Sequence, residues 1–269
     1  MMRSMLMDAR KLATQSPESI FDELGARSFD AVHVAVPPGR IESLDLFLRV
    51  AQDRRFAVHA SLVLARRSSQ LVSNLSPVNA FGEADLTALC PSQPKVQELF
   101  IEDCARVAGH YPWESLELEA LGFVGRGQDF YHSICFCSAC QYGYGAVGAI
   151  LEQVAREEPA PSVEHPSVKT MLLWRRSVQY GLLQQIQAAV SVPICLRTAA
   201  SLRFTGDKSS LTFEEARGLA DFCTVSFAGM DEEQTAQEIE RLAAMPRPMP
   251  VYGIDSPEHA MFGGYIFNS

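Results

Sequence analysis

Short runs of apolar and β-branched residues recur along the whole chain. Runs of this kind, bounded by Gly, Pro, Asp or Ser, are typical of β-strands that are buried in a sheet. The pattern predicts eight strands, at Asp30–Val36, Phe56–Leu64, Ala84–Cys90, Ser115–Phe123, Val192–Thr198, Asp221–Phe227, Met249–Ile254 and Gly264–Phe267.

Helical patterns fill most of the gaps between these strands. Ser16-Pro17 places a capping side chain before a proline at the first helical position, and Thr212 to Glu215 is a capping-box sequence. The remaining signals are Ser92-Gln93-Pro94 as a looser helix start, Met245-Pro246 as the end of a helix that begins near Asp231, and apolar residues at helical spacing over Ile41–Arg55 and Pro166–Val190.

Strands that alternate with helices predict an α/β protein with a parallel sheet, and eight such units predict a (β/α)8 TIM barrel. We expect a single barrel domain over residues 28–269, preceded by an N-terminal helical segment over residues 1–27. An open doubly wound sheet is the rival architecture. No Gly-x-Gly-x-x-Gly follows the first predicted strand, which disfavours the dinucleotide-binding form of that rival.

Charge and composition narrow the classes of function. The 269 residues include 23 Lys and Arg against 32 Asp and Glu, a net charge of −9, so no basic face is expected for a nucleic acid. The longest uncharged run, Phe130 to Leu151, contains His132, Gln141 and three cysteines, which is a poor match to a membrane core. The first residues lack the apolar stretch of a signal peptide, and seven cysteines is an odd number. These features predict a protein of the reducing cytoplasm.

Three of the cysteines form a C-x-C-x-x-C sequence at Cys135, Cys137 and Cys140, within an expected insertion over about residues 124–160 after strand four. Three thiols this close can converge on one Zn²⁺ ion, which prefers four ligands. An iron–sulfur motif of radical enzymes would need a different spacing. The fourth ligand is open between Cys90, our first choice, then His165, and last Cys104.

Polar residues also occupy strand positions where apolar ones are expected. In Leu116-Glu117-Leu118-Glu119 the two leucines share one face of the strand and the two glutamates the other. In a barrel the glutamates would point into the lumen, and the same parity places His33, His59, Ser61, Arg197 and Asp255 inward. Because active sites of this fold lie at the carboxyl ends of the strands, these residues indicate a functional site. The competing interpretation is a salt-bridge network in the lumen, for example Arg197 with Glu117.

Four stretches that follow one another in order carry a resemblance to known proteins. They are Asn79-Ala80-Phe81-Gly82, Ala88-Leu89-Cys90-Pro91-Ser92, Leu116 to Phe123, and Cys135-Phe136-Cys137-Ser138-Ala139-Cys140. The chain resembles a family of uncharacterised bacterial TIM-barrel proteins described as glycoside-hydrolase-like, and more distantly the family 42 β-galactosidases. The close part of this resemblance covers about residues 56–140.

The resemblance implies a structural zinc and a pair of catalytic acids. It makes Glu119, at the end of strand four, the general acid/base, and it places Asp255 where those enzymes have a nucleophile at the end of strand seven. The implied zinc ligands are Cys90, Cys135, Cys137 and Cys140. The cysteine spacing is also similar to the zinc site of queuine-type tRNA transglycosylases, in which a distant histidine completes the set, but the acidic charge of this chain argues against that class.

The leading prediction is therefore a carbohydrate-active hydrolase that acts on a small-molecule or oligosaccharide substrate. Glu119 would be the acid/base and Asp255 or Glu117 the second carboxylate. Since Asp is shorter than Glu, we expect the two carboxyls at or beyond the separation of about 5–5.5 Å found in retaining enzymes, and hence inversion or no hydrolysis. The alternative is a non-catalytic barrel that binds a sugar or a partner. The expected substrate-binding residues are Asn79, His59, Arg197, Tyr131 and His132, with Phe123 or Tyr252 nearby.

Overall fold

The computed structural model describes most of the first 199 residues and shorter parts of the remainder. The described residues are 4–7, 12, 14–36, 41–65, 73–119, 123, 134–158, 164–199, 220–226, 233, 234, 236, 237, 240, 251–254 and 266–267.

One sheet organises these residues, and its eight strands follow each other in chain order. Each strand pairs in parallel with the next, except that the last pairs antiparallel with its neighbour. The predicted α/β architecture with a parallel sheet is thereby confirmed. Within the described strands no ladder joins the first to the last. The strands are β1 Ser4–Met7, β2 Ala31–Ala35, β3 Ala57–Val63, β4 Ser115–Glu119, β5 Ile194–Ala199, β6 Phe222–Ser226, β7 Val251–Ile254 and β8 Ile266–Phe267.

Two strand predictions need correction. The chain begins the sheet with β1, which lies in the segment expected to be helical and which the sequence pattern missed because it is short and contains no β-branched residue. The predicted strand Ala84–Cys90 is instead a turn-rich loop in which Ala84 makes a single antiparallel bridge to Val78. Inside this loop Asp85 Oδ1 accepts hydrogen bonds from the backbone N–H and the hydroxyl of Thr87, which closes a turn. The two errors offset each other in the count, so Glu119 still ends strand four.

Helices connect the strands and cover the sheet. Ser16 caps the first helix as expected, since its hydroxyl accepts a hydrogen bond from the Ser19 N–H at 3.2 Å. The capping box at Thr212 and the boundary at Met245-Pro246 lie outside the described residues. The helices are α1 Pro17–Ala26, α2 Asp45–Asp53, α3 Pro94–His110, α4 Ser138–Tyr144, α5 Gly148–Glu157 and α6 Pro166–Ala189, and 3-10 turns occupy Ile41–Leu44, Ser73–Leu75 and Gly145–Val147.

The buried apolar side chains form two clusters. The larger cluster lies between the sheet and helices α1, α2, α3 and α6, with Phe21, Phe100 and Leu116 fully buried. The smaller one surrounds the cysteines and joins α4 and α5 to the first half of α6. The cysteine-rich part therefore has a core of its own. Full burial of one apolar side chain in such a core stabilises the fold by about 1.5–3 kcal/mol. The expected boundary at residue 27 stays a prediction.

In the part of the chain that the structure describes, none of the helices has the length and apolar character needed to cross a lipid bilayer.

Candidate functional site: a four-cysteine cluster beside the parallel sheet

Four cysteines from two separate loops meet in the smaller core. Cys90 ends the loop that follows β3, while Cys135 and Cys137 precede α4 and Cys140 lies in its first turn. All four side chains are buried, and their sulfur atoms lie within 4.8 Å of one another. The structure thus brings together the four residues that the sequence analysis proposed as metal ligands, and together they could hold a metal ion.

The spacing of the sulfur atoms fits a single tetrahedral ion. Cys90 Sγ lies 3.4 Å from Cys140 Sγ and 3.7 Å from Cys137 Sγ. A tetrahedron with metal–sulfur bonds of about 2.3 Å has edges of about 3.8 Å, so little movement is needed to enclose an ion. A multinuclear iron–sulfur cluster would separate its ligands further, because several iron and sulfide atoms would lie between them. Tetrahedral sets of four thiolates hold zinc or iron in proteins.

Backbone amides fix one corner of the cluster. Cys135 Sγ accepts hydrogen bonds from the Val78 and Cys137 N–H groups, each at 3.4 Å. The Tyr144 hydroxyl donates a hydrogen bond to the Cys135 carbonyl at 2.8 Å. The Tyr144 ring packs edge-on against the Trp174 ring. Local sequence therefore places three of the sulfurs, because residues 135–140 turn directly into α4.

Their surroundings shift the pKa values of three of the four thiols in different directions. Burial raises the pKa of Cys90 and of Cys140, because a thiolate is poorly solvated there. Hydrogen bonds from Cys135, Cys140 and Cys90 lower the pKa of Cys137, in the opposite direction. Since a metal requires deprotonated ligands, binding a cation at this cluster would release protons from Cys90 and Cys140.

The other two candidates for the fourth ligand are engaged elsewhere. His165 is the N-cap of α6, and its Nδ1 accepts a hydrogen bond from the Ser167 N–H at 3.3 Å. Cys104 is buried in α3 within the larger core, where burial raises its pKa to about 12. Cys90, the first choice, completes the cluster. It does so from a loop, not from the end of a predicted third strand.

A second group of polar side chains lies on neighbouring strands of the sheet. Glu117 is fully buried, accepts a hydrogen bond from the Ser61 hydroxyl at 3.1 Å, and has an oxygen 3.1 Å from His33 Nδ1. His59 stacks on His33 with ring centroids 4.5 Å apart, and its Nδ1 lies 2.9 Å from the Ser115 hydroxyl. The predicted inward parity of these residues thus corresponds to one group of side chains in contact, which two hydrogen bonds and the stack of the two histidine rings hold together. Ser115 was not predicted as part of it.

These surroundings favour neutral His59. The pKa of His59 is lowered to about 4, chiefly by burial and then by the neighbouring His33. The Glu117 carboxylate raises this pKa by a smaller amount. A carboxylate with 0 % exposure is costly unless it is paired, and here the pairing comes from β2 and β3. His59 was also expected to bind substrate, and that role stays a prediction.

The structure describes the other predicted site residues to different extents. Glu119 is the last residue of β4, in register with Val63 of β3. Asn79 uses its side chain within its own turn, where Oδ1 accepts from the Phe81 and Glu83 N–H groups and Nδ2 donates to the Glu83 carboxylate. Arg197 and Tyr252 belong to β5 and β7 by their backbone. Asp255, Tyr131 and His132 lie outside the described residues, and the roles of all these residues stay predictions.

A cavity of about 550 Å³ opens at the amino-terminal ends of β2, β3 and β4. Asp30, Phe56 and Glu114 are part of its lining. It lies at the end of the strands opposite Glu119, so it is not the sugar pocket that we expected at the carboxyl ends.

The comparisons with known proteins show a similarity of fold and no match in sequence. No protein-family model matches the chain, and no curated protein sequence matches it. The fold is similar to α-L-fucosidase isoenzyme 2 from Paenibacillus thiaminolyticus, with a TM-score of 0.54 and 13% identity over 83% of this chain and 35% of that enzyme. It is also similar to the PgaB (BpsB) glycoside hydrolase domain from Bordetella bronchiseptica, with a TM-score of 0.55 and 14% identity over 90% of this chain and 80% of that domain.

Fold and site together define what is shown: a parallel α/β sheet with a fold similar to that of glycoside hydrolases, and beside it a buried cluster of four cysteines able to hold a metal ion. The chain spans about a third of the fucosidase's length. At such low identity the similarity concerns the fold alone, and the relation to the family 42 β-galactosidases stays a prediction.

Proposed function

We propose that this chain is a carbohydrate-active hydrolase built on a closed (β/α)8 barrel, with Glu119 as general acid/base and a structural zinc at the four cysteines. The observation that carries the proposal is the place of Glu119. It is the last residue of the fourth strand in a sheet whose strands follow chain order, and catalytic residues of TIM barrels come from the carboxyl ends of strands.

The register of β4 supports this assignment. Position 119 lies on the same face of the strand as position 117, because residues two apart share a face. Glu117 on that face is already buried among polar side chains from β2 and β3. Position 119 is one step nearer the carboxyl end, where a substrate can approach.

Hydrolysis of a glycoside needs two carboxyl groups in different protonation states. Glu119 would donate a proton to the oxygen of the leaving sugar, while an ionised carboxylate attacks the anomeric carbon or activates a water molecule. Asp255, which follows β7, is our choice for the second group. Glu117 is less suited, because its carboxylate is fully buried and held by Ser61.

Zinc in this proposal is structural. Four thiolates fill the coordination sphere of a tetrahedral ion and leave no position for water. The ion would tie the loop after β3 to the segment before α4, since Cys90 comes from the first and the other three cysteines from the second. We further propose that the substrate is a small glycoside or oligosaccharide bound by Arg197, Tyr131 and His132. Location in the cytoplasm stays a prediction.

The proposal is tested by turnover of a panel of nitrophenyl glycosides. With a sugar that is cleaved, Glu119→Gln should lower kcat/KM by about 10²–10⁴-fold, the range for loss of a general acid or base. Glu114→Gln is the matched control, because Glu114 is exposed and precedes β4 at its opposite end. Equal activity of the two variants would contradict the role of Glu119.

The alternative, a non-catalytic barrel that binds a sugar, gives a different result in the same panel. It predicts no turnover by the wild-type chain and binding of a sugar detectable by calorimetry. A transglycosylase-like site completed by a histidine loses support, because His165 caps α6 and Cys90 completes the cluster.

A further inference from the structure

Ser92 lies at the edge of the cysteine cluster in a tightly fixed turn. The Gln93 N–H donates to the Cys90 carbonyl at 3.2 Å, and the Gln97 side chain donates to the Pro91 carbonyl at 2.9 Å. The Cys90 N–H in turn donates to the Leu75 carbonyl at 2.9 Å. These bonds hold the backbone on both sides of Ser92, so its side chain has a defined position.

The Ser92 hydroxyl points at sulfur atoms. Its Oγ lies 3.0 Å from Cys90 Sγ, 3.2 Å from Cys140 Sγ and 3.9 Å from Cys137 Sγ. Once these sulfurs are thiolates they have no proton to give, so the hydroxyl is the donor. It can donate to Cys90 or to Cys140, one at a time, because it carries a single proton.

The neighbouring helix does not use this hydroxyl. The sequence predicted Ser92-Gln93-Pro94 as a helix start, but the N-cap of α3 is Gln93, and no side-chain hydrogen bond caps the helix. The serine therefore has its contacts on the cysteine side of the turn.

Ser92 also complements the backbone donors of the cluster. The Val78 and Cys137 N–H groups both reach Cys135, whereas Ser92 reaches Cys90 and Cys140. A divalent ion with four thiolates has a net charge of −2, and a buried charge of this kind is stabilised by hydrogen bonds to the sulfurs.

We propose that Ser92 is a positioning residue of the metal site, which donates a hydrogen bond to the thiolate of Cys90 or Cys140 and slows release of the ion. This inference rests on the proposed binding of metal at the four cysteines. Hydrogen-bonding partners of metal ligands change affinity by about 10–100-fold when they are removed, and we expect an effect of this size here.

The test uses the full chain loaded with Co²⁺ or Zn²⁺. Ser92→Ala should transfer Zn²⁺ to a chromophoric chelator about 10–100-fold faster than the wild type, and its thiolate-to-Co²⁺ charge-transfer band should shift. Ser76→Ala is the matched control, because the Ser76 hydroxyl is buried and makes no hydrogen bond with any residue that the structure describes. Ser92→Thr and Ser92→Val form a second pair of equal shape that differs in the hydroxyl, and it decides the matter if Ser92→Ala does not fold.

Each outcome bears on the proposal. Fast release by the alanine and valine variants, with slow release by the threonine variant, supports it. Release from Ser92→Ala at the rate of Ser76→Ala, or equal release by the threonine and valine variants, overturns it. A wild-type chain without a Co²⁺ band overturns it together with the metal site. If metal binds as expected but no glycoside is cleaved, the hydrolase proposal fails while the role of Ser92 stands.

Discussion

Acidification should destabilise the fold through His59. This side chain is 7% exposed, stacks on His33 and lies 2.9 Å from the Ser115 hydroxyl. Burial first, and then the adjacent His33, lower its pKa from 6.5 to about 4, while the Glu117 carboxylate offsets part of this effect. The native state therefore holds His59 neutral over a pH range in which the unfolded chain already binds a proton.

The sign and the size of the effect follow from linkage. Because the folded pKa lies below the unfolded value of 6.5, the contribution of His59 to stability is fully present above pH 6.5 and is lost as the pH falls to about 4. The difference between these values corresponds to about 3 kcal/mol, which is a large share of the roughly 5–15 kcal/mol that stabilises a typical domain.

Urea unfolding of the wild type and His59→Gln from about pH 7.5 to about pH 4 measures this contribution. At neutral pH the variant is the less stable chain, and the gap in the free energy of unfolding should close by about 3 kcal/mol as the pH falls. His110→Gln is the control, because His110 lies at the surface beside Asp45 and not among the buried side chains of the sheet. A gap between wild type and His59→Gln that stays constant with pH would refute the reasoning.

Three further predictions concern the cysteine cluster and helix α6. Cys137→Ser should lower the zinc content from about one ion per chain and lower the unfolding temperature, measured by elemental analysis and calorimetry; purified wild type without zinc would contradict this. Gln179 is fully buried, and neither of its amide atoms has a hydrogen-bond partner among the described residues. Gln179→Met should therefore stabilise the chain by about 1–3 kcal/mol in urea, and an equal loss would show that the amide is bound. Gly143→Ala would place a Cβ 2.0 Å from the Trp174 ring and should lower the free energy of unfolding by about 1–3 kcal/mol. Gly181→Ala, with open space around it in α6, should raise the free energy of unfolding by about 0.5–1 kcal/mol.

The secondary structure was predictable wherever the signal is local. Runs of apolar and β-branched residues identified β2, β3 and β4 to within a few residues, and Ser16 caps α1 as its position before a proline predicted. The alternation of leucine and glutamate in β4 placed Glu117 on the buried polar face of its strand. The convergence of Cys135, Cys137 and Cys140 follows from their spacing at the start of a helix. In each case the sequence pattern that carries the prediction spans only a few positions, so short-range geometry is sufficient.

The remaining features depend on contacts between distant parts of the chain, which no local pattern contains. β1 is a strand because it pairs with β2, although its own sequence has no β-branched residue. The loop that replaces the predicted strand Ala84–Cys90 carries Cys90 to a cluster whose other members come 45 to 50 residues later, and this selects Cys90 over His165. Ser92 faces the sulfurs and not its helix because of the same long-range contact. The sequence by itself thus determined most of the elements and three of the four clustered cysteines. The tertiary structure decided β1, the fourth cysteine and the partners of buried Glu117, because burial and pairing arise only when distant segments pack together.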